Sequence, residues 1–305
     1  MVGIEKMLDE LNTGKLYLVG TPLGNLEDIT QRALRVLNEV DFIAAEDTRH
    51  TLKLLNHFQI KKSLLSYFQH NERQRSNQII EKILAGAKVA LVTDAGMPGI
   101  SDPGSLLVAA AIEHGISVIP IPGVTAVTTA LAASGLDTAS FWFAGFLPRK
   151  NSERNGKLAE MTDFSGTLVF YEAPHRILAT LQNIQKALGD RRAVVARELT
   201  KIHEEFLRGN LSELIQTLSK RELKGEFTLL VEGNQSTVKS DRISTNIDID
   251  DLFMTTLREQ DSLRGALKEI ARQTGKSPKE IYQIYLQRQK KEGCSQSLFN
   301  GEDNR

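Results

Sequence analysis

Lys15-Leu16-Tyr17-Leu18-Val19, running into Gly20-Thr21-Pro22-Leu23-Gly24-Asn25, is a short β-type run that ends in a cluster of turn formers. An amphipathic stretch from Ile29 to Leu37 follows, and Val40 to Ala45 reads as a buried strand. Strand, loop, helix and strand in that order open an α/β sheet. The alternation continues with a helical pattern over Asn77 to Leu84, a strand at Val89 to Thr93, a helix over Gly104 to His114 and a strand at Val118 to Pro120. Continuous apolar strands of this kind suit a parallel sheet covered on both faces.

Pro120-Ile121-Pro122-Gly123 punctuates the chain, because two prolines fix torsions and remove two donors. A domain boundary is expected there, giving an N-terminal α/β domain over 14–122 and a C-terminal α/β domain over 123–233. In the second domain, helices are expected at Thr125 to Ala133, Asn155 to Met161 and Pro174 to Leu188. Strands are expected at Phe141 to Gly145, Thr167 to Tyr171 and Ala193 to Arg197, with a hairpin-like pair formed by Glu204 to Arg208 and Glu226 to Glu232. Residues 234–249 read as a polar linker. Beyond it, 250–290 reads as a small helix-turn-helix-like extension, with Leu252 to Ile270 and Ser277 to Gln289 joined at Gly275. Its second helix is expected to be capped by Ser277 ahead of Pro278. The pair suits a structural add-on and a nucleic-acid contact equally well. Residues 291–305 are expected to be disordered.

The 305 residues, 41% hydrophobic and 25% charged, give room for two cored domains. Apolar runs such as Leu106 to Ile112 stop far short of the roughly 20 residues that span a bilayer. Glu5, Asp9 and Glu10 precede any apolar run, the wrong order for a secretory signal, so a cytoplasmic location without membrane attachment is expected. The single cysteine, Cys294, excludes an intramolecular disulfide and a thiolate-rich metal cluster. His50, His57, His70, His114, His175 and His203 show no ligand spacing, so no metal is expected. With 38 basic residues balancing 38 acidic ones, any nucleic-acid contact has to be a local patch.

Ligands of open α/β sheets bind outside the carboxyl ends of the strands, which directs attention to three loops: Gly20 to Asn25, Glu46-Asp47-Thr48-Arg49, and Asp94 to Gly104. The first has glycines four apart with proline between them, which is not a dinucleotide fingerprint. It fits a phosphate cradle or simply a tight turn. The third packs two aspartates, two prolines and three glycines into eleven residues. Prolines stiffen such a loop while glycines let its backbone approach a ligand, the make-up of a preformed small-molecule site. Asp94 is placed to accept from a ligand hydroxyl or amine, and Asp102 to cap the helix beginning near Gly104.

Six segments in order, Leu18 to Leu26, Ala45 to Arg49, Asp94 to Gly104, Pro122 to Ala126, Phe143 to Arg149 and Tyr171 to Arg176, resemble the small-subunit ribosomal RNA methyltransferases I of the tetrapyrrole-methylase superfamily. The likeness runs from about Lys15 to Val231. It implies a homodimer whose subunits hold S-adenosyl-L-methionine in a cleft between two α/β domains. Carried onto this sequence, the cofactor contacts are Pro22, Asp94, Ala95, Gly96, Ile100, Ser101, Thr125, Ala126, Phe143, Ala144, Leu199, Thr200 and Thr228. The implied acceptor is a cytidine ribose in the decoding region of small-subunit ribosomal RNA.

Methyl transfer to a ribose hydroxyl calls for in-line positioning and a proton acceptor. Candidate bases are Asp47, Glu46, Glu172, Lys201 and His70. Asp47 is the first choice, with Arg49 gripping a backbone phosphate, against the reading in which Asp47 and Arg49 pair merely to fix their loop. Arg149, Lys150, Arg154 and Lys157 form a basic cluster, from which Arg149 and Lys150, with Arg176, are the candidate RNA contacts. Plain solvated charge explains such a cluster as readily. Two other functions fit the same fold: carbon methylation of a corrinoid or porphyrin, and a non-enzymatic RNA-binding or assembly module.

Overall fold

The computed structural model describes residues 14–235, 256, 263–274, 277 and 279–286. Residue contacts divide the chain into a larger unit ending at Asn234 and a smaller one beginning at Gln235.

The larger unit holds two five-stranded sheets. The first is built from β1 (Lys15–Val19), α1 (Gln31–Glu39), β2 (Phe42–Ala45), α2 (Thr48–His57), β3 (Ser63–Ser66), α3 (Glu72–Leu84), β4 (Lys88–Val92), α4 (Ser105–Glu113) and β5 (Ser117–Ile121). Its strand order is β3-β2-β4-β1-β5, and every pairing is parallel. In β4 the run Val89-Ala90-Leu91-Val92 is wholly buried, and the pleat sends Ala90 and Val92 into one apolar cluster and Val89 and Leu91 into the other. Helix α1 starts at Gln31, not Ile29, because the Thr30 side chain accepts from Ala33 N–H. It buries Ala33, Val36 and Leu37, the i, i+3, i+4 stripe of a surface helix.

The second sheet draws on α5 (Ala126–Ser134), β6 (Phe141–Phe146), α6 (Asn151–Ala159), β7 (Thr167–Glu172), α7 (Ile177–Leu188), β8 (Arg192–Arg197), β9 (Glu205–Asn210), α8 (Leu211–Leu218) and β10 (Phe227–Val231). The order is β6-β7-β10-β8-β9; only β6 and β7 are parallel. The expected hairpin of 204–208 with 226–232 does not form. β9 pairs with β8, and β10 lies between β7 and β8. The physical reason is burial. Phe227-Thr228-Leu229-Leu230-Val231 is buried on both faces and takes the central slot, whereas Glu205-Phe206-Leu207-Arg208, charged at both ends and nowhere fully buried, suits an edge. Helix α8, opened by a reciprocal capping box between Asn210 and Glu213, separates the two strands in sequence. Pro122 and Gly123 fall between β5 and α5, and α5 packs Val127, Ala130 and Leu131 into a cluster with Val169, Val194 and Leu230 of the second sheet.

Three elements were not anticipated: α2, β3 and α8. The expected capping of α4 by Asp102 is also corrected, because Gly104 occupies the N-cap with no side-chain hydrogen bond.

In the smaller unit, α9 (Leu263–Thr274) and a helical segment over 279–286 share a core of Leu267, Ile270, Ala271 and Ile281, with Ile284 and Tyr285 packed against it. Ser277 caps as expected, its Oγ accepting from Glu280 N–H while Glu280 Oε2 accepts from Ser277 N–H. Leu252, Gly275, Pro278, Cys294, all but the first two residues of the expected linker and the whole expected tail lie outside the described residues.

A close backbone approach joins Gly20, after β1, to Gly123, after β5. A Cβ built on Gly123 would lie 2.9 Å from Gly20 Cα, and one on Gly20 would lie 2.8 Å from Gly123 Cα. Gly123→Ala is therefore expected to lower stability by roughly 1–3 kcal/mol, the range for overpacking. An unchanged denaturant midpoint would show that the two loops have room to separate.

Candidate active site

Because β1 lies between β4 and β5, the loops after these three strands leave the sheet side by side. They are then tied together. Gly20 N–H donates to Ile121 O at 3.1 Å; Thr21 N–H donates to Gly96 O at 2.9 Å, and Gly96 N–H returns to Thr21 O at 3.0 Å. Thr21 Oγ adds a bond to Thr93 O at 3.0 Å, buried. The loop from Asp94 to Gly104 bends through left-handed positions. Gly104, at φ +142°, holds a backbone conformation that residues with a side chain rarely adopt, and a Cβ there would also press on Leu91 Cδ2 at 2.9 Å. Its N–H is held by Glu72 Oε1 at 2.9 Å.

Two adjoining cavities open over these loops. The first, of about 310 Å³, is lined by Leu23, Met97, Ile100 and Phe146 as its apolar wall and by Asp102, Tyr171 and Glu226 among its polar groups. Of the expected cofactor contacts, Ala95, Gly96, Ile100, Thr125, Ala126 and Thr228 line it. The second, of about 440 Å³, is lined by Pro22, Asp94 and again Ala95, together with His50, Lys53, Lys201 and Glu226. The remaining five contacts line neither. Ser101, at φ +65°, rests against Gly145, where an added Cβ would meet Ser101 Oγ at 3.2 Å. The Phe143 ring packs edge-on to Tyr171 at 4.9 Å, Ala144 sits at the bulge of β6, and Leu199 is buried beside Val127 and Leu131. Thr200 Oγ accepts from Asn25 N–H at 3.2 Å, tying the first loop to the turn after β8.

The electrostatics are unusual for an apolar cavity. Burial raises the Glu46 carboxyl above the ordinary range, with Asp94 and Asp47 adding to the effect. Burial, then the charges of Glu46, Asp94 and Glu226, pushes Asp102 up to about 7. Tyr171 is pushed up to about 12 by burial and by Asp102, so its hydroxyl stays a donor. Burial pulls Lys201 down, but hydrogen bonds to Glu198 and Glu226, each 3.0 Å, outweigh it and keep the ammonium charged.

The model of the family described as tetrapyrrole (corrin/porphyrin) methylases matches residues 15–215. The chain belongs to that family. Among its relatives, a protein named ribosomal RNA small subunit methyltransferase I from Halalkalibacterium halodurans is 48% identical over 90% of this chain and 95% of its own length. A protein of the same name from Synechocystis is 46% identical over 90% and 98%. Solved structures share the fold. The methyltransferase CobJ superposes with a TM-score of 0.56 at 19% identity, over 72% of this chain and 95% of its own. A uroporphyrin-III C-methyltransferase from Thermus thermophilus, complexed with S-adenosylhomocysteine, gives 0.53 at 20%, over 74% and 100%.

Tetrapyrrole methylases use S-adenosylmethionine, and the site fits that molecule. An apolar pocket with the Glu226 carboxyl on its wall, and a second carboxyl, Asp94, in the adjoining cavity, favours a ligand that joins apolar surface to positive charge.

The base candidates fare differently. Asp47 caps α2: its Oδ1 accepts from Arg49 N–H at 2.8 Å, and its Oδ2 pairs with the Arg49 guanidinium at 2.8 Å. That ion pair and the backbone bonds hold the Asp47 carboxyl well below the usual carboxylate range, so Asp47 is a weak base. The loop-fixing alternative describes the pair. Glu172 lines the first cavity, but its buried carboxylate is satisfied by Thr180 Oγ at 2.6 Å, Ala173 N–H at 2.9 Å and Arg176 Nε at 3.4 Å. Glu46 Oε2 is held by Asp94 N–H at 3.3 Å. Lys201 is protonated, and the exposed His70 lines none of the cavities described.

Arg149 and Arg176 line a third recess, of about 390 Å³, with Arg154 and His175. Within it Arg176 is anchored to Glu172 and donates to Leu147 O at 2.7 Å, while Arg154 holds the carbonyls of Pro148 and Arg149. Lys150 stands at the N-cap of α6 and reaches Glu153 at 3.1 Å on the surface. The free guanidinium of the recess is that of Arg149 among the described residues. Arg176→Met is expected to cost about 1–3 kcal/mol, the penalty for leaving buried acceptors unpaired. Unchanged stability together with weakened RNA binding would return Arg176 to the role of a phosphate contact.

Proposed function

We propose that this chain transfers a methyl group from S-adenosylmethionine to the ribose 2′-oxygen of a cytidine in the decoding region of small-subunit ribosomal RNA, acting in the cytoplasm as a homodimer. The observation that carries the reading is the 48% identity to a protein named ribosomal RNA small subunit methyltransferase I, spread over 90% of this chain and 95% of that one. No helix of the described residues is long and apolar enough to cross a membrane, in keeping with a substrate on the ribosome.

When bound, the cofactor supplies an electrophilic methyl group on a positively charged sulfur. The protein's own task is positioning, which is worth roughly 7 to 11 kcal/mol when the reacting atoms are aligned. Leu23, Met97, Ile100 and Phe146 supply the apolar wall of the first cavity; Glu226 there and Asp94 in the adjoining one favour positive charge; the Tyr171 hydroxyl stays protonated. Arg149 and Lys150, near the start of α6, are positioned to meet phosphates. The homodimer draws support from α4, whose Leu106, Ala109 and Ile112 form an apolar stripe facing outward.

Radiolabelled cofactor offered to small ribosomal subunits and, separately, to a tetrapyrrole precursor is expected to label RNA ribose alone; label in the tetrapyrrole would overturn the reading. Replacing both Arg149 and Lys150 by Gln is expected to flatten the dependence of log K on log salt by roughly 0.7 per lost phosphate contact, with cofactor affinity unchanged. The same slope in variant and wild type would leave those cations as solvated surface. Light scattering is expected to return twice the chain mass of 33.9 kDa; a monomer mass would remove the dimer.

A further inference from the structure

Asp102 sits in the loop between β4 and α4 and lines the smaller cavity beside Tyr171 and Glu226. The other carboxyl groups around it are held by donors. Asp94 Oδ1 accepts from Asp47 N–H at 3.2 Å, Glu46 Oε2 from Asp94 N–H at 3.3 Å, and Glu226 Oε2 from Lys201 Nζ at 3.0 Å; Glu172 is satisfied three times over. Asp102 alone of these has neither a hydrogen bond nor an ion pair among the described residues. Ser101 before it is held at φ +65° and Gly104 after it at φ +142°, so the turn that presents it is tightly specified.

We propose that Asp102 is the general base that accepts the proton of the acceptor hydroxyl, an assignment that rests on the reading of the acceptor as an RNA ribose. As the ribose oxygen bonds to the methyl carbon, the bond from that carbon to sulfur breaks with its electron pair left on sulfur, and the hydroxyl proton passes to a carboxylate oxygen of Asp102. A charged ligand alone would be served by any ionised carboxylate. A proton acceptor works best when its pKa lies near the working pH, and Asp102, up to about 7, meets that condition where the hydrogen-bonded acids do not. Burial sets it first and the charges of Glu46, Asp94 and Glu226 add to it, with Tyr171 as the neutral neighbour.

The sign of the pH dependence follows. Asp102 acts as the carboxylate, so kcat/KM rises with pH through about 7 and then levels. Its ionisation opposes folding above the ordinary carboxylate pKa, and fully so above about 7, so Asp102→Asn is expected to be at least as stable as wild type at neutral pH.

The test compares full-length wild type and Asp102→Asn in thermal unfolding, calorimetric binding of S-adenosylmethionine, single-turnover labelling of small ribosomal subunits across neutrality, and the carboxyl ¹³C titration of wild type. Turnover of the variant is expected to fall about 10²–10⁴-fold, the contribution of a positioned base. Cofactor affinity should hold, the acid limb should disappear, and one wild-type carboxyl should titrate near 7. Retained turnover with the acid limb intact sinks the proposal. So does a loss of cofactor affinity that matches the loss of rate, which would make Asp102 a counter-ion, and so does a carboxyl that titrates in the ordinary range. If wild type itself labels no ribosomal RNA, the substrate reading falls and the base falls with it; if both proteins label it equally, only Asp102 falls.

Discussion

The reciprocal pair of backbone bonds between Thr21 and Gly96, with the Gly20–Gly123 contact beside it, is the constraint on which the site depends. A parallel sheet delivers three loop starts to one edge, but loops are free to splay apart from there. The two-way bridge closes the β1 and β4 loops onto each other, and the glycine contact brings the β5 loop against them. Neither glycine position tolerates a Cβ without something moving. The floor of the cavity is thus fixed by main-chain geometry, and side chains remain available for chemistry.

That division explains the charge distribution. The chain is neutral as a whole, so any RNA contact has to be a local patch. In the structure the two signs have separate places: Asp94, Asp102 and Glu226 line the cavities, while Arg149 and Lys150 stand near the start of α6. Gathering acids costs desolvation and mutual repulsion, which surface as the raised Glu46 and Asp102 carboxyls. Lys201, bonded to Glu198 and Glu226, offsets part of that repulsion at the rim. Net charge could not reveal this because it averages over position.

What the sequence made legible was whatever local pattern controls. The uniformly apolar run at 89–92 and the turn formers at 20–25 and 94–104 led directly to the strands and to loops that prove adjacent. The second sheet was misread at β9 and β10, since pairing between strands is a tertiary choice and a central slot is won by burial on both faces. Helix α2 was hidden because its N-cap, Asp47, lies in a segment attractive as a catalytic loop; the capping and the ion pair to Arg49 are where that carboxylate is spent. Asp102 went the other way. Two residues ahead of a helix it looked like a cap, and only the wall supplied by Tyr171 and Glu226, far along the chain, turns it into a half-buried acid without a partner among the described residues.

Solved structures near 20% identity keep this fold, so the shared part has to be the part that residue identity hardly affects. Main-chain bridges and glycine contacts have that property: they ask for a small residue and a torsion, not for a functional group. Acceptor choice is then left to the few side chains that stand on the main-chain floor and its rim. Keeping a half-buried, unpaired carboxyl in such a place carries a standing desolvation cost. A hydroxyl acceptor gives that carboxyl a proton to take as the new bond to carbon forms, which is why the one carboxyl of this cavity left without a donor among the described residues is the residue assigned to it.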